Sequence, residues 1–303
     1  MYPIEAYRDA FPNLPEARLH RLMAVDGFIR RAAQLPHPFA LKGSALTRQY
    51  LPDPARRLPA DLDFVLLPHQ EFPQMAEEKL THWAAAVTAL DLGYDGIDFV
   101  PFGKNRFSAK GSDWFGVDYA MGDDFPTVCT RLCCRIGGRE TEITLDITLN
   151  LDIPRPHPLA YATPFDRFTV PLTVPLPQQI AWKLHQTIVR PRFKDLYDLG
   201  WLARAAGSLK TVHETLSALA GECRRDGIGR SSILKLFDYS LPQTFAPAKA
   251  HNVWQEQKQT DALEETCPDL PPTPQETFAW FADNMQAAGF TRETAENTVK
   301  LSD

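Results

Sequence analysis

The residues best suited to chemistry lie between positions 39 and 67, FALKGSALTRQYLPDPARRLPADLDFVLL. A short apolar run, Phe39-Ala40-Leu41, ends in Lys42-Gly43-Ser44. After a spacer rich in Pro and Arg, Asp61-Leu62-Asp63-Phe64 leads into Val65-Leu66-Leu67. Strands put residues i and i+2 on one face, so a strand over 62–67 makes Asp61 and Asp63 neighbours at its start. Adjacent carboxylates repel, and a divalent cation between them makes the pair favourable. Gly43 lets a backbone turn approach a ligand closely, and Ser44 can cap the next helix or bind a phosphate oxygen. A phosphate-cradling turn at Lys42, Gly43 and Ser44, followed by a carboxylate pair, suggests a nucleotide and Mg²⁺.

Several elements must position these groups. Residues 39–41 read as a short strand that delivers Gly43, and residues 44–50 as helical turns stopped by Pro52. Helices are expected over 14–35 and 71–90, with Pro15 in the first turn of the earlier one. A β-meander is expected over 97–101, 114–120, 128–136 and 141–149, with Gly137-Gly138 as a hairpin turn. In the last strand Ile143, Leu145, Ile147 and Leu149 alternate with Thr144, Asp146, Thr148 and Asn150. Asp146 is therefore a third candidate carboxylate, on a strand next to the one carrying Asp61 and Asp63. Three such groups can hold two Mg²⁺ ions, which activate a hydroxyl and clamp a triphosphate. A solvent-facing Asp on an amphipathic strand has the same pattern. Asp118 competes for the role; Asp152 is disfavoured by Pro154 and Pro156. The basic loop over 104–111 suits either a nucleic-acid backbone or a solvated hairpin tip.

A strand over 168–174 precedes helices over 178–189 and 193–206. Lys183 and Arg190 share a helical face with Thr187 between them, and Arg192 and Lys194 open the next helix. These cations form a plausible triphosphate grip. Asp195 also suits the first turn of a helix on dipole grounds, and Asp198 can pair with Lys194 at i,i+4. His185 reads as a packing residue. Further helices are expected over 211–225, 231–237, 249–259, 275–288 and 292–301, without a catalytic signature.

The 303 residues, 44% of them hydrophobic, can bury a core of one large or two modest domains. A formal charge of −6 disfavours non-specific nucleic-acid binding by the whole surface while leaving room for a local basic cleft. The five cysteines fit no zinc spacing and read as free thiols of a reducing compartment. The N-terminal residues lack the apolar core of a signal peptide, and no run reaches the ~20 apolar residues that cross a bilayer. A cytoplasmic protein with no membrane partner is expected.

The Gly43-Ser44 pair, a spacer and Asp61-Leu62-Asp63 resemble the signature of the nucleotidyltransferase superfamily. The longer string LKGSALTRQY…DLDF resembles the AbiEii/AbiGii toxin family, bacterial nucleotidyltransferases that are often the toxic half of a toxin–antitoxin pair. The spacer over 45–60 is longer than the superfamily pattern, and Ser44 stands where many members carry a second Gly. A Lys in an apolar helix and then Arg-x-Lys-Asp-x-x-Asp, here Lys183 and Arg192-Phe193-Lys194-Asp195-Leu196-Tyr197-Asp198, resemble the same family. The resemblance implies that Lys183 contacts NTP phosphates and that Asp195 is an essential acidic partner. The expected fold is α/β (α+β), a nucleotidyltransferase core with a mixed sheet flanked by helices over 1–175, and a helical region over 176–303 that contributes phosphate-binding residues. The expected reaction is transfer of NMP from an NTP to RNA, with a tRNA 3′ end foremost by resemblance, or to a protein acceptor. A neutralising antitoxin is the implied partner. A small-molecule nucleotidyltransferase of the antibiotic-modifying kind and a non-catalytic nucleotide- or RNA-binding module are the alternatives.

Overall fold

The computed structural model describes residues 3–69, 73–102, 116–118, 127–240, 247–260 and 263–300, and for 73–77, 116–118 and 247–251 the backbone alone. The basic loop over 104–111 lies outside the described residues, as does the side chain of Asp118. The chain forms two compact units. The first comprises Met1–Gln49 and Leu58–Val174, the second Tyr50–Arg57 and Pro175–Asp303.

The first unit opens with helices α1 (Pro3–Ala10) and α2 (Glu16–Ala32). Strand β1 (Phe39–Leu41), the short helix α3 (Gly43–Thr47), strand β2 (Leu62–Leu66) and helix α4 (Pro73–Ala89) follow. Then come β3 (Ile97–Phe99), β4 (Gly116–Asp118), β5 (Thr127–Ile136), β6 (Arg139–Thr148), β7 (His157–Ala162) and β8 (Arg167–Thr173). The strands make one mixed sheet in the order β3-β5-β6-β2-β1-β8-β7, with β4 also paired to β5. The expected meander is corrected here. Both β3 and β4 pair with β5, β3 along its C-terminal end and β4 along its N-terminal end, so β4, β5 and β6 follow one another as antiparallel neighbours while β3 pairs past β4. Gly137 and Gly138, both at positive φ, make that two-residue turn, which needs left-handed backbone at both positions.

Burial explains the pairing. In β6, Ile143, Leu145 and Ile147 are buried, and Thr144 and Asp146 alternate with them. In α4, Leu80, Trp83, Ala84 and Val87 recur at helical spacing and are buried. The Trp83 ring lies 4.3 Å from Phe39 of β1, 5.0 Å from Phe64 of β2 and 5.4 Å from Phe28 of α2, centroid to centroid. One indole thus holds a helix onto both strands that flank the Gly43 turn, with edge and stacked contacts of about 0.5–1.5 kcal/mol each beyond area burial.

The second unit is helical: α5 (Leu176–Val189), α6 (Phe193–Ala206), α7 (Leu209–Arg225), α8 (Arg230–Leu236), α9 (Pro247–Thr260), α10 (Leu263–Thr266), α11 (Pro274–Ala287) and α12 (Arg292–Thr298). Its core joins Leu184 of α5, Leu196 and Leu199 of α6, Leu216 of α7 and Phe281 of α11, all fully buried. Helices α6 and α11 meet at Gly200, where a Cβ would lie 2.2 Å from Trp280 Nε1. Replacing Gly200 with Ala must push that indole away, and overpacking of this kind costs about 1–3 kcal/mol. Gly200→Ala is expected to lower the denaturant midpoint without changing the slope; an unchanged midpoint would show that the two helices do not need this close approach.

Candidate active site

The carboxylates come together through strand register. β2 and β6 are parallel neighbours, and their pairing sets Asp63 directly opposite Asp146, with Leu62 opposite Leu145 and Phe64 opposite Ile147. Adjacent strands lie about 4.8 Å apart, so two like charges face the same side at close range. Asp61 is half-buried immediately before β2, two residues from Asp63. Asp152 lies exposed beyond the end of β6.

Asp63 is enclosed from the side of the Gly43 turn. Lys42 donates its backbone N–H to the Asp63 carbonyl at 2.9 Å and its Nζ to Asp63 Oδ1 at 3.2 Å. Gly43 adopts φ +68°, and a Cβ there would sit 2.0 Å from Asp63 Oδ2. The glycine is required both by the left-handed backbone and by the carboxylate pressed against its Cα. Ser44 lies inside α3, whose N-cap is Lys42 and whose first turn has no side-chain cap. The expectation that Ser44 caps this helix is therefore corrected. Its Oγ is sealed from solvent and accepts or donates no hydrogen bond among the described residues.

The turn is anchored from below by a buried charge. Asp26 of α2 accepts hydrogen bonds from Tyr7 Oη and Tyr161 Oη, both at 2.8 Å, and from Arg48 Nη1 at 3.1 Å. Arg48 follows α3 directly and is fully buried, so the ion pair fixes where the Gly43–Thr47 helix ends. Removing one partner of such a pair strands a buried charge, at about 3–5 kcal/mol.

Burial pushes the Asp146 carboxyl up to about 6, and the Asp63 charge adds to the rise. A hydrogen bond from the Cys129 thiol opposes it, Asp61 raises it slightly more, and Lys42 draws it back. Cys129 stands opposite Asp146 on β5, a neighbour that cysteine spacing could not reveal because the contact is cross-strand. Asp146 Oδ1 is sealed from solvent with no donor of its own. These features fit a hard divalent cation. Mg²⁺ takes oxygen ligands, keeps several waters and is commonly held by one or two carboxylates together with substrate phosphates. No three His, Cys, Asp or Glu groups among the described residues converge tightly enough to hold a metal by themselves.

In the second unit, Lys183 of α5 donates to Asp195 Oδ1 at 3.0 Å and to Asp198 Oδ2 at 2.7 Å. Arg192 Nε donates to Asp195 Oδ2 at 2.6 Å, and Arg57 Nε to Asp198 Oδ1 at 2.9 Å. The expected Asp198–Lys194 pair is corrected. Asp198 is fully buried, and its two oxygens are taken by Lys183 and Arg57. Burial alone would raise Asp195, but the charges of Lys183 and then Arg192 overcome it and hold the carboxyl well below the usual range. Burial works against the Lys183 ammonium, and the charges of Asp198 and Asp195 outweigh it and raise its pKa. Three cations thus share two carboxylates. Arg57, the residue that sequence reasoning missed, belongs to the spacer before Asp61. That spacer, Tyr50–Arg57, is part of the second unit, which accounts for its length. Arg190 is exposed at the end of α5, and His185 is buried with Nε2 2.9 Å from Asp226 Oδ2.

Two outcomes follow. Asp198→Ala leaves Lys183 and Arg57 without their shared carboxylate and should cost about 3–5 kcal/mol in chemical denaturation; a change below about 1 kcal/mol would contradict the buried network. Asp146 titrates higher folded than unfolded, so its contribution is favourable below its unfolded value near 4 and is lost as pH rises through about 6. Metal-free Asp146→Asn should therefore gain stability over the parent by about 1–3 kcal/mol between pH 4 and pH 8. An equal difference at both pH values would contradict the raised carboxyl.

The chain matches the family described as "Nucleotidyl transferase AbiEii toxin, Type IV TA system" over residues 28–284. No curated protein matches the chain in sequence. Among solved structures, the chain is similar in fold to MenT4, the nucleotidyltransferase toxin Rv2826c from Mycobacterium tuberculosis H37Rv. The identity is 15%, coverage is 99% of this chain and 100% of that one, and the TM-score is 0.50. JHP933 from Helicobacter pylori aligns at 14% identity over 94% of this chain and 97% of that one, with a TM-score of 0.48. With the family match spanning both the Gly43-Ser44…Asp61-Leu62-Asp63 turn and the Lys183 network, the chain belongs to the AbiEii nucleotidyl transferase toxin family of type IV toxin–antitoxin systems and is a nucleotidyltransferase.

Proposed function

We propose that the protein transfers NMP from an NTP to the 3′-hydroxyl of an RNA, with a tRNA end the foremost acceptor, in a Mg²⁺-dependent reaction. Family membership implies an NTP substrate and an antitoxin partner. No helix among the described residues is long and apolar enough to cross a membrane, and we assign the activity to the cytoplasm. Residues 1–175 act as the catalytic core, and residues 176–303 supply phosphate-binding groups.

The observation that carries this reading is the register of Asp63 and Asp146, two like charges facing one side, one with an unpartnered buried oxygen. Asp61, Asp63 and Asp146 would hold the ions, which when bound supply charge neutralisation for the carboxylates and phosphates. Lys42, now on Asp63 Oδ1, is the cation that hands that oxygen over and turns to phosphate. Gly43 keeps Asp63 upright, and Ser44 lines the same turn. Lys183, Arg192 and Lys194 neutralise the triphosphate, with Asp195 holding Lys183 and Arg192 in place. In the reaction, the acceptor oxygen forms a bond to the α-phosphorus, and the bond to the α,β-bridging oxygen breaks. Pyrophosphate leaves, and Asp146 is the carboxylate placed to orient the acceptor hydroxyl and take its proton.

The test uses purified protein, Mg²⁺, each α-labelled NTP in turn and RNA from a cell extract. At least one NTP should label RNA, and Asp63→Ala should reduce labelling by roughly 100-fold or more. Asp63 is 20% exposed and paired to a Lys42 that is 18% exposed, so the thermal transition should move little, by about 0–1 kcal/mol. No label in RNA with any NTP would overturn the reading, and full activity of the variant would overturn the metal assignment.

A further inference from the structure

The row of residues that joins Asp63 to Asp146 continues onto a third strand. In the sheet order β5-β6-β2-β1, Asp63 of β2 stands opposite Asp146 of β6, and Asp146 stands opposite Cys129 of β5. Residues directly opposite in an antiparallel pair have Cβ atoms about 4.5–5.5 Å apart, so the thiol and the carboxylate are side by side. Cys129 lies on the polar face of β5. Val128, Thr130, Leu132 and Cys134 are buried, and Cys129, Arg131, Cys133 and Arg135 alternate with them. Packing as a small apolar side chain accounts for buried Cys134, and not for a half-buried cysteine among charges.

The thiol completes a bracket around the carboxylate pair. Lys42, just after β1, holds Asp63 Oδ1 from one side at 3.2 Å. From the other side a hydrogen bond from the Cys129 thiol reaches Asp146. Asp146 Oδ1 has no donor among the described residues, so the thiol serves Oδ2. The other acceptor near that thiol, the Thr127 carbonyl, is 4.0 Å from Sγ and competes weakly. Neighbours on the same face are engaged elsewhere. The Thr148 hydroxyl, next to Asp146 on β6, lies 3.5 Å from the Thr127 hydroxyl. Arg131, next to Cys129 on β5, pairs with Glu142 at 3.4 Å.

The chemical type of this donor matters. A guanidinium or ammonium opposite Asp146 would neutralise the carboxylate and compete with a divalent ion. A thiol is neutral and a weak donor. It can fix one oxygen while leaving the charge and the second oxygen for the ion. Groups that hydrogen-bond a ligating carboxylate commonly set its metal affinity. We infer that Cys129 is a positioning residue of the metal site, its thiol fixing Asp146 Oδ2 so that Oδ1 remains for the divalent ion. This rests on the Mg²⁺-dependent reading proposed above.

The experiment titrates Mg²⁺ calorimetrically into the full chain saturated with a non-hydrolysable NTP analogue. The proteins are the parent, Cys129→Ala, the conservative Cys129→Ser, and Cys133→Ala, which removes the next cysteine along the same face. Cys129→Ala should bind Mg²⁺ roughly tenfold or more weakly. Cys129→Ser should keep most of the affinity, because a hydroxyl also donates. Cys133→Ala should bind Mg²⁺ as the parent does. The thermal midpoints of all three variants, and their affinity for the NTP analogue without Mg²⁺, should match the parent. Parent-like Mg²⁺ affinity of Cys129→Ala overturns the inference. So does an equal loss in the Ala and Ser variants, and so does absence of Mg²⁺ binding by the parent. An RNA-labelling reaction across a Mg²⁺ series separates the two claims. If the parent labels RNA and Cys129→Ala needs no more Mg²⁺ than the parent, the positioning role fails while the activity stands. If the variants differ in Mg²⁺ affinity as expected but the parent labels nothing, the proposed activity fails and the positioning role stands.

Discussion

Two carboxylates forced together by strand register are the constraint on which the rest of the first unit depends. Asp63 and Asp146 face one side because β2 and β6 run parallel with Leu62 opposite Leu145. Shifting either strand by one residue would send one carboxylate into the core and an apolar side chain into solvent. Buried Phe64, Ile143, Leu145 and Ile147 therefore enforce the register that brings the charges together. The surroundings manage the repulsion in three ways. Lys42 takes one oxygen of Asp63, the Cys129 thiol serves Asp146, and the Asp146 carboxyl is pushed to about 6. What is left over, an unpartnered buried oxygen, is unfavourable for folding and useful for holding a cation.

The second unit solves a similar electrostatic problem with the opposite sign. Lys183, Arg57 and Arg192 share Asp195 and Asp198, so each cation has a carboxylate partner. A buried pair of this kind contributes little net stability, but breaking it is expensive. Held by two carboxylates, Lys183 is fixed in orientation with few rotamers open to it.

Much of this was legible in the sequence where local patterns carried it. The alternation from Ile143 to Leu149 correctly implied that Asp146 faces away from the core, and the Gly137-Gly138 turn fixed the hairpin. Helix α6 followed from its apolar spacing and from Pro191 before it. Gly43 was marked for the right reason of close approach, but what approaches it is Asp63 and not a ligand. Strand β7 has no counterpart among the strands expected from the sequence, where Pro154, Pro156 and Pro158 suppress strand propensity. It survives as the sheet edge, where a missing N–H can be tolerated. The roles of Arg57 and Asp198 were out of reach, since their contact spans 141 residues of sequence and no local period encodes it. The Asp26–Arg48 anchor is a tertiary fact of the same kind.

The central claim is that Asp63 and Asp146 together hold a divalent ion, and proton linkage tests it most directly. Mg²⁺ added with a non-hydrolysable NTP analogue should be titrated calorimetrically near pH 6 and again two units higher, in buffers of different ionisation heat. If Mg²⁺ binds at the pair, it must displace the proton that Asp146 holds near pH 6. The account predicts proton release at the lower pH, little at the higher, and no such difference in Asp146→Asn. The same proton release from parent and Asp146→Asn at both pH values would contradict it.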